Sequence, residues 1–229
     1  LRSHLDRPVI VVSNHTAYWD PLVAMWLTNH VTQIDSYALM DAKNLRRLPF
    51  FALTGAFGVD LDDPRDGGLA IRYAAKLLRQ PGRLVWVFAQ GDERPITERP
   101  LRFRAGGAAI ARLCPDAVVL PLALRYEFGQ TERPVLFCQI GEPLPHQREV
   151  TAAVRAQENA VTHLMGELDA RISTKIRPGH AECFHQHQPG WLSRLAEYGL
   201  AKLTRGDIPT ERSALPPAQQ RSEFSDPKG

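Results

Sequence analysis

The chain has 229 residues, 44% of them apolar, and a formal net charge of +3. That size suits one domain with a substantial core, or a domain followed by a tail. No apolar stretch reaches the roughly 18 residues of a membrane-spanning helix, and we expect no signal peptide because no basic segment precedes an apolar core. The three cysteines are far apart and odd in number, which argues against a disulfide framework and favours a reducing compartment; they are Cys114, Cys138 and Cys183.

The positive charge is mostly arginine, and it is clustered. Arg46 and Arg47 form one group, and a second group lies within 94–104. Arginine suits the recognition of phosphate and carboxylate, although a solvated basic face has the same pattern. A nucleic-acid partner is not expected, because the sequence has no long basic stripe with interleaved aromatic residues.

Apolar runs and helical periodicities alternate along the chain. The run at 9–12 predicts a buried strand, and Pro21, with Asp20 at the N-cap position, predicts a helix to about residue 29. Amphipathic spacing predicts a helix over 69–80. The other predicted strands are 34–39, 84–88, 117–124, 135–140 and a short one within 55–60, and the other predicted helices are 42–53 (broken or shifted at Pro49), 105–113 and 151–176.

Strands that alternate with helices predict an α/β fold, here a single domain with a mostly parallel or mixed sheet flanked by helices. We assign residues 1–204 to this domain. From residue 205 onward the chain is rich in proline, charge and small polar residues, a composition that predicts a disordered tail.

His15 and Asp20 follow the first predicted strand. In open α/β sheets, chemistry collects where a strand ends and the next helix begins. A histidine and a carboxylate at that point form a candidate base and its orienting partner, although Asp20 as a simple helix cap is the competing interpretation.

Three further elements follow this pair in order. They are a Gly-x-Phe turn at Gly55 and Phe57, a Phe-x-x-Gly element at Phe88 and Gly91, and Val-Leu-Pro ending at Pro121. With the Asn-His-x4-Asp element that begins at Asn14, this ordered set resembles the glycerolipid (lysophosphatidic acid acyltransferase-like) acyltransferase family. The resemblance covers roughly residues 8–145, and its first motif is the most specific.

The resemblance implies acyl transfer from acyl-CoA or acyl carrier protein to a hydroxyl of a lipid or lipid-like acceptor, with no cofactor and no metal. His15 is then the general base, and Asp20 holds its ring in the required tautomer. Backbone N–H groups around Gly91 are the expected donors to the oxyanion. Asn14 is expected to orient the loop, and an ordinary turn-forming residue is the competing interpretation. The other residues assigned to substrate binding are Gly55, Phe57, Arg65, Phe88, Gln90, Arg94, Arg102 and Pro121.

The third motif departs from the family pattern Phe-Pro-Glu-Gly-Thr-Arg. Gln90 replaces the glutamate, Asp92 the threonine and Glu93 the arginine. The arginine usual after the Gly-x-Phe element is also missing, so Arg94 and Arg65 are the candidates to compensate. Both changes remove positive charge where a phosphate would dock, and they indicate an acceptor without that phosphate, or one bound differently. The glutamine version resembles the branch that acylates glycosylated carotenoids and other non-phosphate alcohols.

Arg102 belongs to a basic stretch that precedes Gly106 and Gly107. In the family, a similar stretch precedes a helix. This stretch is a candidate site for CoA phosphates or anionic headgroups, and a solvated loop is the alternative.

Two functional alternatives remain open from the sequence. A catalytically silent relative that binds acyl chains or acyl thioesters fits the altered third motif, and a metal-dependent hydrolase would use His15 and Asp20 as ligands. A zinc site among His180, Cys183, His185 and His187 is disfavoured because their spacing matches no known ligand pattern. We expect a cytoplasmic protein, peripheral on the inner face of the membrane. Residues 191–203 are a candidate interfacial helix, with an ordinary helix packed on the core as the alternative.

Overall fold

The computed structural model describes residues 4, 6–128 and 134–174, which all fall within one compact unit, Leu1–Arg177. Four predictions lie outside the described residues: the domain boundary at 204, the tail, the segment around His180 and the helix from Trp191. The strands are β1 (Val9–Ser13), β2 (Asp35–Asp41), β3 (Ala56–Val59), β4 (Arg83–Phe88), β5 (Val118–Phe128) and β6 (Pro134–Ile140). The helices are α1 (Asp20–Leu27), α2 (Ala42–Arg47), α3 (Pro64–Leu77), α4 (Gly106–Leu113) and α5 (Val150–Ser173).

The strands form one six-stranded sheet in the order β3-β2-β4-β1-β5-β6. β1 lies inside the sheet, parallel to both β4 and β5, while β6 pairs antiparallel to β5. The predicted α/β fold with a mostly parallel, mixed sheet is therefore confirmed. The β1–β4 register runs to Ser13 opposite Phe88, so the loops that follow these two strands leave the same edge side by side.

Both faces of the sheet are covered, which explains why β1 and β4 read as unbroken apolar runs. Ile10 and Val12 belong to a core cluster that also contains side chains of α3, α4 and α5. Val9 and Val11 belong to a second cluster with Ala24 and other α1 residues. α1 therefore packs against the opposite face, and the loop between β1 and α1 crosses the edge of the sheet.

Several element boundaries differ from the predicted ones. α3 begins at Pro64, five residues before the predicted start, because the Asp63 side chain accepts the Arg65 N–H and caps the helix. The predicted break at Pro49 is present: α2 ends at Arg47 and a 3₁₀ turn, Pro49–Thr54, follows. β5 continues to Phe128, four residues past its predicted end.

Asp20 is not the N-cap of α1. Trp19 occupies the cap position without a side-chain hydrogen bond, and Asp20 is the first helical residue. Its carboxylate is directed back to the preceding loop, where it accepts the Thr16 and Ala17 N–H groups. No helix within the described residues is long and apolar enough to cross a membrane.

Candidate active site

His15 and Asp20 form a hydrogen-bonded pair at the carboxyl edge of the sheet. The His15 Nδ1 and Asp20 Oδ2 atoms are 2.8 Å apart. A carboxylate only accepts hydrogen bonds, so Nδ1 carries the proton and the lone pair lies on Nε2. Within the part of the chain that the structure describes, Nε2 has no hydrogen-bond partner, and the His15 side chain is 15% exposed. The pair is arranged for proton abstraction by Nε2.

Four donors converge on the Asp20 carboxylate, which is fully buried. Oδ2 accepts His15 Nδ1–H and the Thr16 and Ala17 N–H groups at 2.7 and 3.0 Å. Oδ1 accepts the Tyr126 hydroxyl at 2.6 Å. A buried carboxylate is costly unless its oxygens are hydrogen-bonded, and these donors meet that requirement while they fix the carboxylate's position.

The loop after β4 holds the backbone of His15. Gln90 is buried, and its Oε1 accepts the His15 N–H at 2.7 Å. The Arg94 N–H donates to the His15 carbonyl at 2.8 Å. The Phe88 ring lies 4.9 Å from the His15 ring, centroid to centroid. Three residues that the sequence assigned to substrate binding therefore contact His15 itself.

Asn14 joins the end of β1 to β5. Its side-chain amide donates to the Leu124 carbonyl and accepts the Leu124 N–H, both at 2.9 Å. Asn14 is fully buried, so its amide extends the β1–β5 ladder one step beyond Ser13. It orients the loop that carries His15, and its hydrogen-bonding groups are occupied within the protein.

Tyr126 is the site residue that the sequence reasoning missed. It lies on the part of β5 beyond Leu124, where that strand was predicted to have ended. The sequence did contain a signal for it. Side chains of a strand alternate between the two faces of the sheet, so Tyr126 lies on the same face as Leu122 and Leu124, the face on which α1 packs. Burial, followed by the Asp20 charge and the hydrogen bond to it, raises the pKa of the Tyr126 phenol, so the hydroxyl stays a donor.

The Gly91 N–H, one of the groups expected to bind the oxyanion, has a partner within the protein. It donates to the Phe88 carbonyl at 3.0 Å and so closes the turn after β4. Gly91 has φ +80°, and a Cβ there would lie 2.6 Å from Arg104 Nε. Glycine is favoured because this positive φ strains residues that carry a Cβ, and the Arg104 side chain would also have to move to make room for one.

An open cleft of about 690 Å³ of empty space lies beside Gly91. Its wall is mostly apolar and includes Phe88, the residue whose ring packs on His15. The polar side chains in its wall are those of Asp60, Asp63 and Arg104. Leu39, Val59, Leu61, Ile71 and Val87 contribute apolar side chains.

The basic side chain at this cleft is Arg104 and not Arg102. Arg104 pairs with Asp92 at 3.0 Å, and Arg94 approaches the same carboxylate at 3.8 Å. Arg102 is 72% exposed and lies 4.0 Å from Glu98. The backbone of Arg102 adopts φ 56°, and the next arginine, Arg104, is the one that covers Gly91.

Four other predicted site residues lie apart from His15. Gly55 precedes β3, where a Cβ would collide with the Ser36 carbonyl, and Phe57 packs on Tyr73 of α3. Arg65 is exposed in the first turn of α3, and Pro121 is buried inside β5 opposite Val12. Gly55, Phe57 and Pro121 therefore contribute to the fold around the site.

Metal ligation finds no support within residues 6–128 and 134–174, because no group of three or more His, Cys, Asp or Glu side chains there could hold an ion. The hydrolase alternative needs such a group around His15 and Asp20.

The site combines a histidine hydrogen-bonded to a buried aspartate, at the edge of an α/β sheet, with Phe88, which packs on that histidine and lines an apolar cleft; such an arrangement can support general-base chemistry. The family model described as Acyltransferase matches residues 2–125, more than half of the chain. The chain therefore belongs to this glycerolipid acyltransferase-like family, and membership suggests acyl transfer to a lipid acceptor. Comparison with curated proteins finds no match.

Proposed function

We propose that this protein transfers a fatty acyl group from acyl-CoA or acyl carrier protein to a hydroxyl of a lipid or lipid-like acceptor, with His15 as the general base. The observation that carries the proposal is the His15–Asp20 pair: Nε2 of His15 has no hydrogen-bond partner among the described residues, and the His15 ring packs on Phe88, which also lines an apolar cleft. Family membership supports the reaction class.

In the proposed step, His15 Nε2 takes the proton of the acceptor hydroxyl while the hydroxyl oxygen attacks the thioester carbon. The carbon–sulfur bond then breaks, and the imidazolium returns the proton to the leaving thiolate. The acceptor oxygen is itself the nucleophile, so no acyl-enzyme forms. General-base assistance of this kind contributes roughly 10²–10⁴-fold, and Asp20 stabilises the imidazolium between the two proton transfers.

The charges around the cleft favour an acceptor without a phosphate monoester. Asp60 and Asp63 lie in the wall, and the guanidinium of Arg104 already pairs with Asp92. A dianionic headgroup would face two carboxylates and compete with Asp92 for one cation, whereas a neutral alcohol meets no such repulsion. A glycosylated or otherwise uncharged lipid alcohol is the acceptor class we propose.

Access to such a substrate implies peripheral contact with the inner face of the membrane. Tyr18 and Trp19 are 46% and 58% exposed on the loop that carries His15. Tyrosine and tryptophan favour the interfacial zone of a bilayer, so this aromatic pair is a candidate contact close to the base.

Thiol release from acyl-CoA tests the proposal. Purified protein is given acyl-CoA and a membrane lipid extract, and wild type is compared with His15→Ala and with His163→Ala, a control at an exposed histidine of α5. We expect release that requires a lipid acceptor, persists in His163→Ala and falls to background in His15→Ala. Mass spectrometry of the lipid that gains the chain then identifies the acceptor, and acyl carrier protein replaces CoA in a parallel assay.

Three results would contradict the proposal. Acyl-CoA binding without acceptor-dependent release from either donor would indicate a silent binding relative. Thiol release by His15→Ala at the wild-type rate would show that His15 is not the general base. Hydrolysis of acyl-CoA that needs no acceptor and is abolished by a chelator would indicate a metal-dependent hydrolase.

A further inference from the structure

We propose that Tyr126 is a positioning residue for the reaction, and that its hydroxyl sets the orientation and charge of Asp20 and, through Asp20, the basicity of His15. The inference rests on the proposed function of the His15–Asp20 pair. Tyr126 lies one residue beyond the segment that the family model matches.

The two Asp20 oxygens have different partners. Oδ2 serves His15 and two loop amides, all within five residues in the chain. Oδ1 has a single donor among the described residues, the Tyr126 hydroxyl at 2.6 Å. Without that hydroxyl, Oδ1 would be a buried carboxylate oxygen with no partner from the described part of the protein, which is costly.

β5 provides a rigid support for this contact. Tyr126 pairs with Leu136 of β6 in the antiparallel register, and two residues earlier Leu124 holds Asn14 through its backbone. β5 therefore holds the His15 loop at both ends. The backbone of Leu124 holds Asn14, and the side chain of Tyr126 holds Asp20. The loop cannot rotate the carboxylate without breaking the Tyr126 bond.

The phenol acts as a donor and not as a second acid or base. Three titratable groups bear on its hydroxyl: Asp20 on α1, His15 through Asp20, and Cys138 on β6. Burial first, then the Asp20 charge, raises the phenol pKa, so the hydroxyl does not ionise in the range where a histidine base works. Its bond withdraws charge from the carboxylate, and a carboxylate with less charge stabilises the imidazolium less.

Tyr126→Phe removes the hydroxyl and keeps the ring. We expect kcat to fall roughly tenfold to a hundredfold, with KM for acyl-CoA within about twofold because the substrates do not touch this group. The acid limb of the kcat/KM profile is expected to move to higher pH, since Asp20 with one donor fewer holds the imidazolium more tightly. Tyr37→Phe, at a half-buried tyrosine of β2, should match wild type in both readouts.

A second measurement separates positioning from stability. If Tyr126 acts through Asp20, Tyr126→Phe should have little further effect on kcat in an Asp20→Asn background, and Tyr126→Phe alone should still unfold cooperatively. A full additional loss in the double variant, or an uncooperative single variant, would overturn the positioning role.

The His15→Ala result distinguishes the two proposals. Suppose that His15→Ala is inactive while Tyr126→Phe keeps the wild-type kcat and the wild-type acid limb of the pH profile. That result would refute the Tyr126 proposal and leave the proposed function standing. Fully active His15→Ala would refute the proposed function, and the role of Tyr126 with it.

Discussion

At the residue scale, the geometry of the candidate site depends on the hydrogen bonds of Asp20. Its two carboxylate oxygens are fully buried and receive donors from the loop, from His15 and from Tyr126. Each donor fixes one direction of the carboxylate, and together they leave one orientation for the His15 ring. The position of the His15 lone pair is thus set by hydrogen bonds that the substrate does not make.

Asp20→Asn tests this description at the residue scale. An asparagine cannot accept all four donors, because half of its amide is an NH₂ group. We expect the His15 ring to change tautomer, so that Nε2 carries the proton and cannot act as a base. The kcat for acyl transfer should fall roughly 10²–10⁴-fold.

Asp35→Asn is the matched control for that measurement. Asp35 is an exposed aspartate at the start of β2, 3.6 Å from Arg83, and an exposed ion pair contributes little to stability. Acyl transfer should be unchanged in this variant. An Asp20→Asn protein with kcat within twofold of wild type would show that the carboxylate does not orient the base.

At the scale of elements, α5 holds the loop that precedes α4. The Glu158 carboxylate accepts the N–H groups of Arg102 and Phe103 at 2.9 and 3.2 Å. This fixes the backbone just before Arg104, the residue whose side chain covers Gly91. The α5 helix therefore helps to shape the cleft wall, although both residues of the His15–Asp20 pair lie elsewhere in the chain.

The start of α5 depends on a glutamate cap. Glu149 accepts the N–H groups of Thr151 and Ala152 with its two carboxylate oxygens, and the hydrogen bond from Thr151, followed by that from Ala152, holds the pKa of Glu149 below its ordinary value of 4.5. A depressed folded-state pKa contributes stability above the unfolded-state value, and that contribution is lost as the pH falls through the folded-state value. We expect Glu149→Ala to lower the melting temperature at pH 7, and the difference from wild type to shrink below about pH 4.5.

Thermal unfolding followed by circular dichroism at several pH values measures this effect. Glu142→Ala, at an exposed glutamate outside the helix, is the control and should leave the melting temperature unchanged. Glu149→Gln keeps an acceptor for the helix amides and should lose less than the alanine variant. A deficit of Glu149→Ala that is the same at pH 7 and pH 3 would contradict the assignment to the ionised cap.

At the scale of the whole molecule, the proposed membrane contact rests on exposed side chains at the carboxyl edge of the sheet. Tyr18 and Trp19 are exposed beside His15, and Arg94 is partly exposed on the adjoining loop. Aromatic side chains favour the bilayer interface, and basic side chains add attraction to anionic lipids.

Trp19→Ser should weaken binding to lipid vesicles. We expect the loss of this aromatic side chain to lower the fraction of protein that cosediments with vesicles containing anionic lipid. Thiol release from acyl-CoA with a detergent-dispersed acceptor should stay near the wild-type rate. Leu113→Ser, at an exposed leucine at the far end of α4, should bind vesicles as wild type does. Equal loss in both variants would show that this edge has no special role.

Many of the strands and helices could be predicted from local residue patterns. β1 and β4 were predictable because strands covered on both faces are apolar at every position, and α3 because its apolar residues recur at helical spacing. The boundaries were less predictable, since the cap at Asp63 and the pairing of β5 with β6 decide them. The sequence position of Asp20 is also typical of a helix N-cap. Both an N-cap and the observed Asp20 carboxylate accept hydrogen bonds from backbone N–H groups, so the sequence alone did not separate the two roles.

The sequence by itself determined the His15–Asp20 pair, because five residues in one loop bring these two side chains together, and it determined the layered α/β order through its apolar runs. Only the tertiary structure decided the rest of the site. Tyr126 reaches Asp20 across 106 residues. Arg104, and not Arg102, lies in the cleft wall, and a turn bond occupies the Gly91 N–H. These contacts depend on strand order, register and backbone direction, which local residue patterns do not specify.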